Sequence, residues 1–188
     1  MKRLRYILIS LFLLLQLESF SQLNHKHFIT MGRIELSEEN YSDAIYNFNK
    51  AIIAKPKDFE GYFLRGIAKY SLNDYVGSVE DFNKTLEIHP LYVRAYHYRG
   101  IANDRLGNYA DAKKDYAKAI ALDPYDAELH IAMGSTLLHL NEFEDAIASF
   151  DTALIINPNN ANAYINRGVA KRFINKLDEA VEELTLIS

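Results

Sequence analysis

The chain has 188 residues, 49% of them hydrophobic, with no cysteine and a formal net charge of −4. This mild acidity disfavours a nucleic-acid partner, because nucleic-acid binding requires a basic surface that displaces counterions. The lack of cysteine excludes disulfides, thiolate metal ligands and a cysteine nucleophile, so the fold has to be stabilised by packing.

The N-terminus has the pattern of a secretory signal peptide over residues 1–21. Three basic residues precede an apolar run over residues 6–15, and the small residues Ser19 and Ser21 lie two apart before Gln22. The apolar run is half as long as the roughly 20 residues of a membrane-spanning helix. We therefore expect an exported protein that is periplasmic, associated with the cell envelope or secreted. The alternative is an uncleaved N-terminal anchor, which is the one case in which we expect membrane contact.

After this segment the sequence repeats with a period of 34 residues. The four prolines, Pro56, Pro90, Pro124 and Pro158, keep this step. Further series with the same step are Gly32, Gly66, Gly100, Gly134 and Gly168; Ala44, Ser78, Ala112, Ala146 and Ala180; and Phe48, Phe82, Tyr116, Phe150 and Leu184. A fixed period of this length indicates stacked supersecondary units.

The period and the residue types resemble the tetratricopeptide repeat family. The third repeat carries the motif most fully, with Tyr96, Gly100, Tyr109, Ala112, Tyr116, Ala119 and Pro124. The resemblance implies an all-α fold, a right-handed α-solenoid of about five helix-turn-helix repeats. The expected repeats are residues 25–58, 59–92, 93–126, 127–160 and 161–188, the last incomplete and without a capping helix.

Each repeat is expected to form a helix hairpin with a close contact at its conserved glycine. A glycine inside a helix costs about 1 kcal/mol in helix propensity. The loss is explained if the second helix approaches closely there and its aromatic residue fills the space. The turn of each hairpin requires a left-handed residue, which Gly107 and the asparagines at 73, 141 and 175 suit. Glu39 occupies this place in the first repeat.

Comparison of the five repeats also predicts an ion pair within three of them. Two positions are compared in each repeat: the residue before the recurring glycine, and the residue before Tyr116 or its equivalent in the second helix. Where the second of these is acidic, the first is arginine, and where the second is neutral, the first is methionine. The predicted pairs are Arg65 with Asp81, Arg99 with Asp115, and Arg167 with Glu183. The alternative is that these arginines bind an anionic ligand.

The family resemblance implies a concave groove lined by the first helices, and this groove is the candidate binding surface for a peptide with apolar side chains. The candidate residues are Phe63, Leu64, Ile67, Arg94, His97, Tyr98, Ile101, Arg105, Ile131, Ile165, Asn166 and Val169. Exposed apolar residues in such a row indicate a partner. The alternative is that neighbouring repeats already bury several of these side chains.

The predicted function is a protein-protein interaction scaffold or adaptor that binds a peptide or protein segment in the groove. An alternative is a structural cell-envelope component that associates with itself through its last helix, at Val181, Leu184 and Ile187. We expect no enzyme, cofactor or metal site, because metal-binding, phosphate-binding and nucleophile motifs are missing from the sequence.

Overall fold

The computed structural model describes residues 24–185, with side chains described as far as Glu183. Every regular element in this part is an α-helix. The helices in chain order are α1 (24–37), α2 (Tyr41–Ala54), α3 (Phe59–Ser71), α4 (Tyr75–Ile88), α5 (Val93–Arg105), α6 (Tyr109–Leu122), α7 (Ala127–His139), α8 (Phe143–Ile156), α9 (Ala161–Phe173) and α10 (Leu177–Thr185). The chain divides into an N-terminal unit that ends at Pro90 and a C-terminal unit that begins at Leu91.

The helices are paired as hairpins whose turns contain one residue with a positive φ. These residues are Glu39, Asn73, Gly107, Asn141 and Asn175, with φ between 60° and 75°. The sequence predicted four of them from their preference for the left-handed region. Glu39 adopts the same conformation with φ 62°, so the first hairpin turns in the same way without a favourable residue type.

Prolines and short polar side chains set where one hairpin ends and the next begins. Helix α2 ends at Ala54, two residues before Pro56, because proline has no amide hydrogen to continue the helical ladder. The next helix starts after Asp58, whose Oδ1 accepts a hydrogen bond from the Glu60 amide at 3.1 Å. Asp126 and Asn160 accept equivalent hydrogen bonds before α7 and α9.

The glycines that recur every 34 residues allow the two helices of a hairpin to approach closely. A Cβ placed on Gly100 would lie 2.7 Å from Cε1 of Tyr116, and one on Gly134 would lie 2.6 Å from Cε1 of Phe150. Both rings are almost completely buried. In the hairpin of α9 and α10, a Cβ on Gly168 would lie 3.4 Å from the Ala180 carbonyl oxygen. The counterpart of the buried rings is Leu184, whose side chain lies outside the described residues.

Each of the two units has a well-packed interior. In the N-terminal unit, Phe48 and Phe82 are fully buried. In the C-terminal unit, α7, α8 and α9 share a core that includes Ile131, Phe150 and Ala163. Across residues 24–185, no helix combines the length and the apolar character that crossing a bilayer requires.

Candidate functional site

The most regular polar feature of the molecule is an arginine–carboxylate pair that joins the two helices of a hairpin. Arg99 on α5 donates from Nε to Oδ2 of Asp115 on α6 at 2.9 Å and from Nη2 to Oδ1 at 2.5 Å. This two-pronged geometry is the strongest arrangement of an arginine with a carboxylate. Asn103 donates a further hydrogen bond to Asp115 at 3.2 Å, and Asp115 itself is buried.

The other two predicted pairs are also brought together. Arg65 contacts Asp81 at 2.9 and 2.5 Å, and Lys69 approaches the same carboxylate at 2.9 Å. In the last hairpin, Arg167 contacts Glu183 at 3.0 and 2.7 Å. Each carboxylate is therefore shared between an arginine and at least one further donor.

Each of these arginines also lies against a tyrosine one turn earlier in the same helix. The guanidinium carbons of Arg65, Arg99 and Arg167 lie 5.6, 5.5 and 5.4 Å from the ring centroids of Tyr62, Tyr96 and Tyr164. The two hairpins with methionine in place of arginine have Phe28 and His130 at the tyrosine position. The sequence contained this signal, since tyrosine occurs there only with arginine, but the ion-pair prediction did not use it.

These contacts explain how the charges are held in a mostly buried environment. Burial alone would raise the pKa of Glu183, but hydrogen bonds from Arg167 and Lys171 outweigh it and lower the pKa below its usual value. The hydrogen bond to Asp81 raises the pKa of Arg65 further. The arginines therefore join the two helices of their hairpins through buried carboxylates.

In the N-terminal unit, two of the candidate groove residues are buried, which corrects the sequence interpretation. Phe63 is 2% exposed, and its ring lies 5.8 Å from the ring of Phe82 on the next helix. Leu64 is 8% exposed. Both side chains are packed in the interior and cannot contact a partner unless the structure rearranges. Ile67 is half-buried.

In the C-terminal unit, most candidate groove residues retain accessible surface. Ile131 is the exception, because it is 9% exposed and packs into the core of α7, α8 and α9. Ile165 is 43% exposed. The half-buried residues are His97, Tyr98, Ile101, Asn166 and Val169, and Arg94 and Arg105 are exposed.

A small aromatic and charged cluster forms one end of this surface on α5. The Arg94 guanidinium carbon lies 5.9 Å from the Tyr98 ring centroid, and the His97 ring lies 5.8 Å from the same ring. Burial lowers the pKa of His97, against the opposing effect of Asp126 and Glu128. His97 is therefore neutral near pH 7, and α5 presents an aromatic surface with one adjacent cation.

Asp104 is a further polar residue of α5 whose role the sequence did not indicate. Its carboxylate accepts hydrogen bonds from Tyr116 Oη at 2.7 Å and from Thr136 Oγ1 at 2.9 Å, and thereby links α5, α6 and α7. Burial raises its pKa, although these hydrogen bonds oppose the shift. Its oxygens point into the protein, so the arrangement is structural. Within residues 24–185 there is also no group of three or more histidine, aspartate or glutamate residues suited to a metal ion.

The predicted self-association surface is described only in part. Val181 is 62% exposed on α10. The side chain of Leu184 and the whole of Ile187 lie outside the described residues.

Comparison with known proteins places this geometry in a family. Tetratricopeptide repeat family models match residues 29–93, 64–127 and 105–165. No curated protein matches the sequence.

Solved structures share the fold at low sequence identity. One described as MamA 41-end from Desulfovibrio magneticus RS-1 is 20% identical, has a TM-score of 0.84, and is matched over 87% of this chain and 93% of its own. A crystal structure of MamA protein is 21% identical with a TM-score of 0.82, over 87% and 90% of the two chains. YrrB, described as a TPR protein with an unusual peptide-binding site, is 19% identical with a TM-score of 0.76, over 85% and 82%.

The fold class is thus all-α, of the tetratricopeptide solenoid type. The two matches of one family model, residues 29–93 and 64–127, together cover residues 29–127, which is more than half of the chain. Because the repeats, the hairpins and the family models agree, the chain belongs to the tetratricopeptide repeat family.

Proposed function

We propose that this protein is an interaction scaffold that holds a peptide or protein segment against the first helices of its C-terminal unit. The observation that carries the proposal is the set of accessible side chains on α5 and α9, the first helices on either side of α7. Among them, Tyr98, Ile101 and Ile165 are apolar or aromatic. Accessible apolar groups in a row are typical of a binding surface. Helical repeat proteins use such surfaces to bind partners.

The chemistry of this surface favours an extended or helical segment with apolar side chains. Tyr98 offers a rigid ring with a polar tip, and Asn166 offers an amide that hydrogen-bonds to a peptide backbone. Arg94 and Arg105 add positive charge at the edge of the row. The description of YrrB as a peptide-binding TPR protein supports the same class of ligand for this fold.

A matched pair of variants tests the groove. Tyr98→Glu introduces a charge on the proposed surface, whereas Tyr125→Glu makes the same change at a tyrosine that is 81% exposed outside it. Residues 22–188 with either change are used to capture cross-linked partners, which are identified by mass spectrometry. We expect one specific partner to be lost with Tyr98→Glu and retained with Tyr125→Glu. Equal capture by both variants would refute the groove.

We extend the proposal to export of the protein, because residues 1–21 have the composition of a signal peptide. Expression of the full chain in bacteria, followed by fractionation and N-terminal sequencing, tests this. We expect a product that begins at Gln22 outside the cytoplasm. A product that keeps Met1 in the soluble cytoplasmic fraction would contradict export.

Self-association through α10 is a second candidate, favoured by the exposed Val181. Light scattering of residues 22–188 distinguishes a monomer from a dimer. A dimer that Val181→Glu converts into a monomer of unchanged helix content would support this candidate over the scaffold.

A further inference from the structure

The C-terminal unit contains an apolar groove between α9 and α10, which shares Ile165 with the surface proposed above but includes no residue of α5. The groove has a volume of about 440 Å³, and Gly168 and Ala180 are among its lining residues. Ile165, Leu177 and Val181 also line it and are 43%, 58% and 62% exposed. Three branched apolar side chains are thus left in contact with water on adjoining helices, which is unfavourable unless a partner covers them.

The 34-residue period identifies the equivalent surface one repeat earlier, and that surface is covered. Ile131 and Ala146, the counterparts of Ile165 and Ala180, are 9% and 0% exposed. They belong to the core in which α7 and α8 pack against α9. The groove between α9 and α10 is therefore the counterpart, one repeat later, of the surface of α7 and α8 on which α9 packs.

The helix that fills the earlier surface shows what the groove accepts. Helix α9 presents Ala163 and Ala170, seven residues apart and both 0% exposed, so its backbone approaches closely. At its C-terminal end, the Phe173 ring stacks on Phe143 with centroids 4.7 Å apart and an interplanar angle of 6°. Phe143 is the counterpart of Leu177, which lines the groove.

The preceding interface has the same plan at the C-terminal end of the helix, whereas α7 has the buried Leu129 at the position of Ala163. His139, at the end of α7, stacks on Tyr109 with ring centroids 4.5 Å apart and an interplanar angle of 7°. Thr136, the counterpart of Ala170, is 1% exposed. Helices α7 and α9 each pack on the hairpin before them within this unit. Both have a small buried residue that is followed three positions later by a flat ring.

The first helix of the chain lacks these features, so a second copy stacked head to tail is a poor occupant. At the positions of Ala163, Ala170 and Phe173, α1 has His27, Ile34 and Ser37. Ile34 adds bulk at a position where α7 and α9 both have a small buried residue, and Ser37 has no ring.

We propose that the groove between α9 and α10 binds an amphipathic helix of a partner protein that carries small residues seven positions apart and an aromatic ring three positions after the second. Recognition is of the helix-in-groove type, in which spaced side chains of one helix face fill an apolar cleft. The ring of the partner helix lies against Leu177, and its small residues face the wall formed by Val181.

A peptide that copies α9 tests the proposal directly. The probe is residues 159–175, acetylated, amidated, fluorescein-labelled and held helical by a lactam between Asn162→Glu and Asn166→Lys, which are not among the residues buried in α9. Its control carries Ala163→His and Ala170→Ile, the residues of α1. We expect fluorescence anisotropy to show saturable binding of the probe to residues 22–188, and binding of the control at least tenfold weaker.

Protein variants locate the binding. Val181→Glu should weaken probe binding at least tenfold, whereas Val76→Glu, at an equally exposed valine on α4, should leave it unchanged. Leu177→Lys serves as a second groove variant if Val181→Glu loses helix content by circular dichroism. Tyr98→Glu should not affect the probe, so failure of the α5 surface and failure of this groove are distinguishable.

Several results would overturn the proposal. These are absence of probe binding, equal binding of the two peptides, and binding that persists in both groove variants. A dimer of residues 22–188 that dissociates on Val181→Glu would assign the groove to a second copy instead.

Discussion

Two neighbouring hairpins of the C-terminal unit build the same fold with different side chains. The hairpin of α5 and α6 has Tyr96, Arg99 and Asp115 where the hairpin of α7 and α8 has His130, Met133 and Ser149. Both bury a ring against the conserved glycine, Tyr116 in one and Phe150 in the other. A hairpin therefore forms without the arginine–carboxylate pair, and the residues at these three positions differ together between the two hairpins.

In the neutral hairpin of α7 and α8, Ser149, the counterpart of Asp115, makes its hydrogen bond without a cation. Ser149 Oγ donates to the Asp145 carbonyl oxygen of its own helix at 3.0 Å, and Met133 packs against the apolar core. Asn47 in the first hairpin likewise donates to the Asp43 carbonyl oxygen. A neutral residue here needs no partner on the facing helix, whereas a buried aspartate does.

The largest effect is expected when the charged hairpin loses only its arginine. Arg99→Met should destabilise the chain by about 3 kcal/mol, the lower end for breaking a buried ion pair, because Asn103 still donates to Asp115. Arg99→Met with Asp115→Ser recreates the neutral hairpin and should recover most of this loss. Urea unfolding at pH 7 gives both free energies.

The reverse exchange in the neutral hairpin is the control. Met133→Arg alone should destabilise, and addition of Ser149→Asp should restore stability. Additive effects in both double-mutant cycles would show that the paired residues are not coupled.

The same comparison shows what the sequence could predict. The repeat period predicted the hairpins, and the exchange of Arg99 with Met133 indicated which residues would meet. The burial of Phe63 was not predictable, because the repeat pattern places it on the groove side and only the packing of its ring on Phe82 removes it from solvent. The groove beside Val181 also depended on knowing which surface α9 covers one repeat earlier.

The glycine contact should distinguish the hairpin of α5 and α6 from the hairpin of α9 and α10. Gly100→Ala places a methyl group 2.7 Å from the Tyr116 ring and should cost about 1–3 kcal/mol through overpacking. Among the residues whose side chains the structure describes, a methyl group at Gly168 meets nothing closer than 3.4 Å, so Gly168→Ala should instead gain up to about 1 kcal/mol from helix propensity. Thermal unfolding of both variants checks the opposite signs. Equal destabilisation would mean that the last hairpin is packed like the others.

A buried hydroxyl distinguishes α4 from the other second helices. Ser78 is fully buried and its Oγ has no hydrogen-bond partner, whereas the equivalent positions are Ala44, Ala112, Ala146 and Ala180. Ser78→Ala should stabilise the chain by about 1 kcal/mol, because it removes an unsatisfied polar group without opening a large cavity. Ser71→Ala, at an exposed serine, is the matched control in urea unfolding. Loss of stability in Ser78→Ala would indicate a partner for the hydroxyl.

The smallest effect concerns acid sensitivity at Glu183, the acidic partner of Arg167 in the last hairpin. The pKa of Glu183 is lowered in the folded chain, so the folded state binds its proton less readily than the unfolded state. The stability that Glu183 contributes is therefore present above its ordinary pKa of 4.5 and is lost as the pH falls through its folded value. Between pH 6 and pH 3, Glu183→Gln should lose less free energy of unfolding than the unaltered chain. Ser149→Ala in the neutral hairpin should leave the pH dependence unchanged, and parallel curves for all three proteins would show that the Arg167–Glu183 pair does not respond to acid.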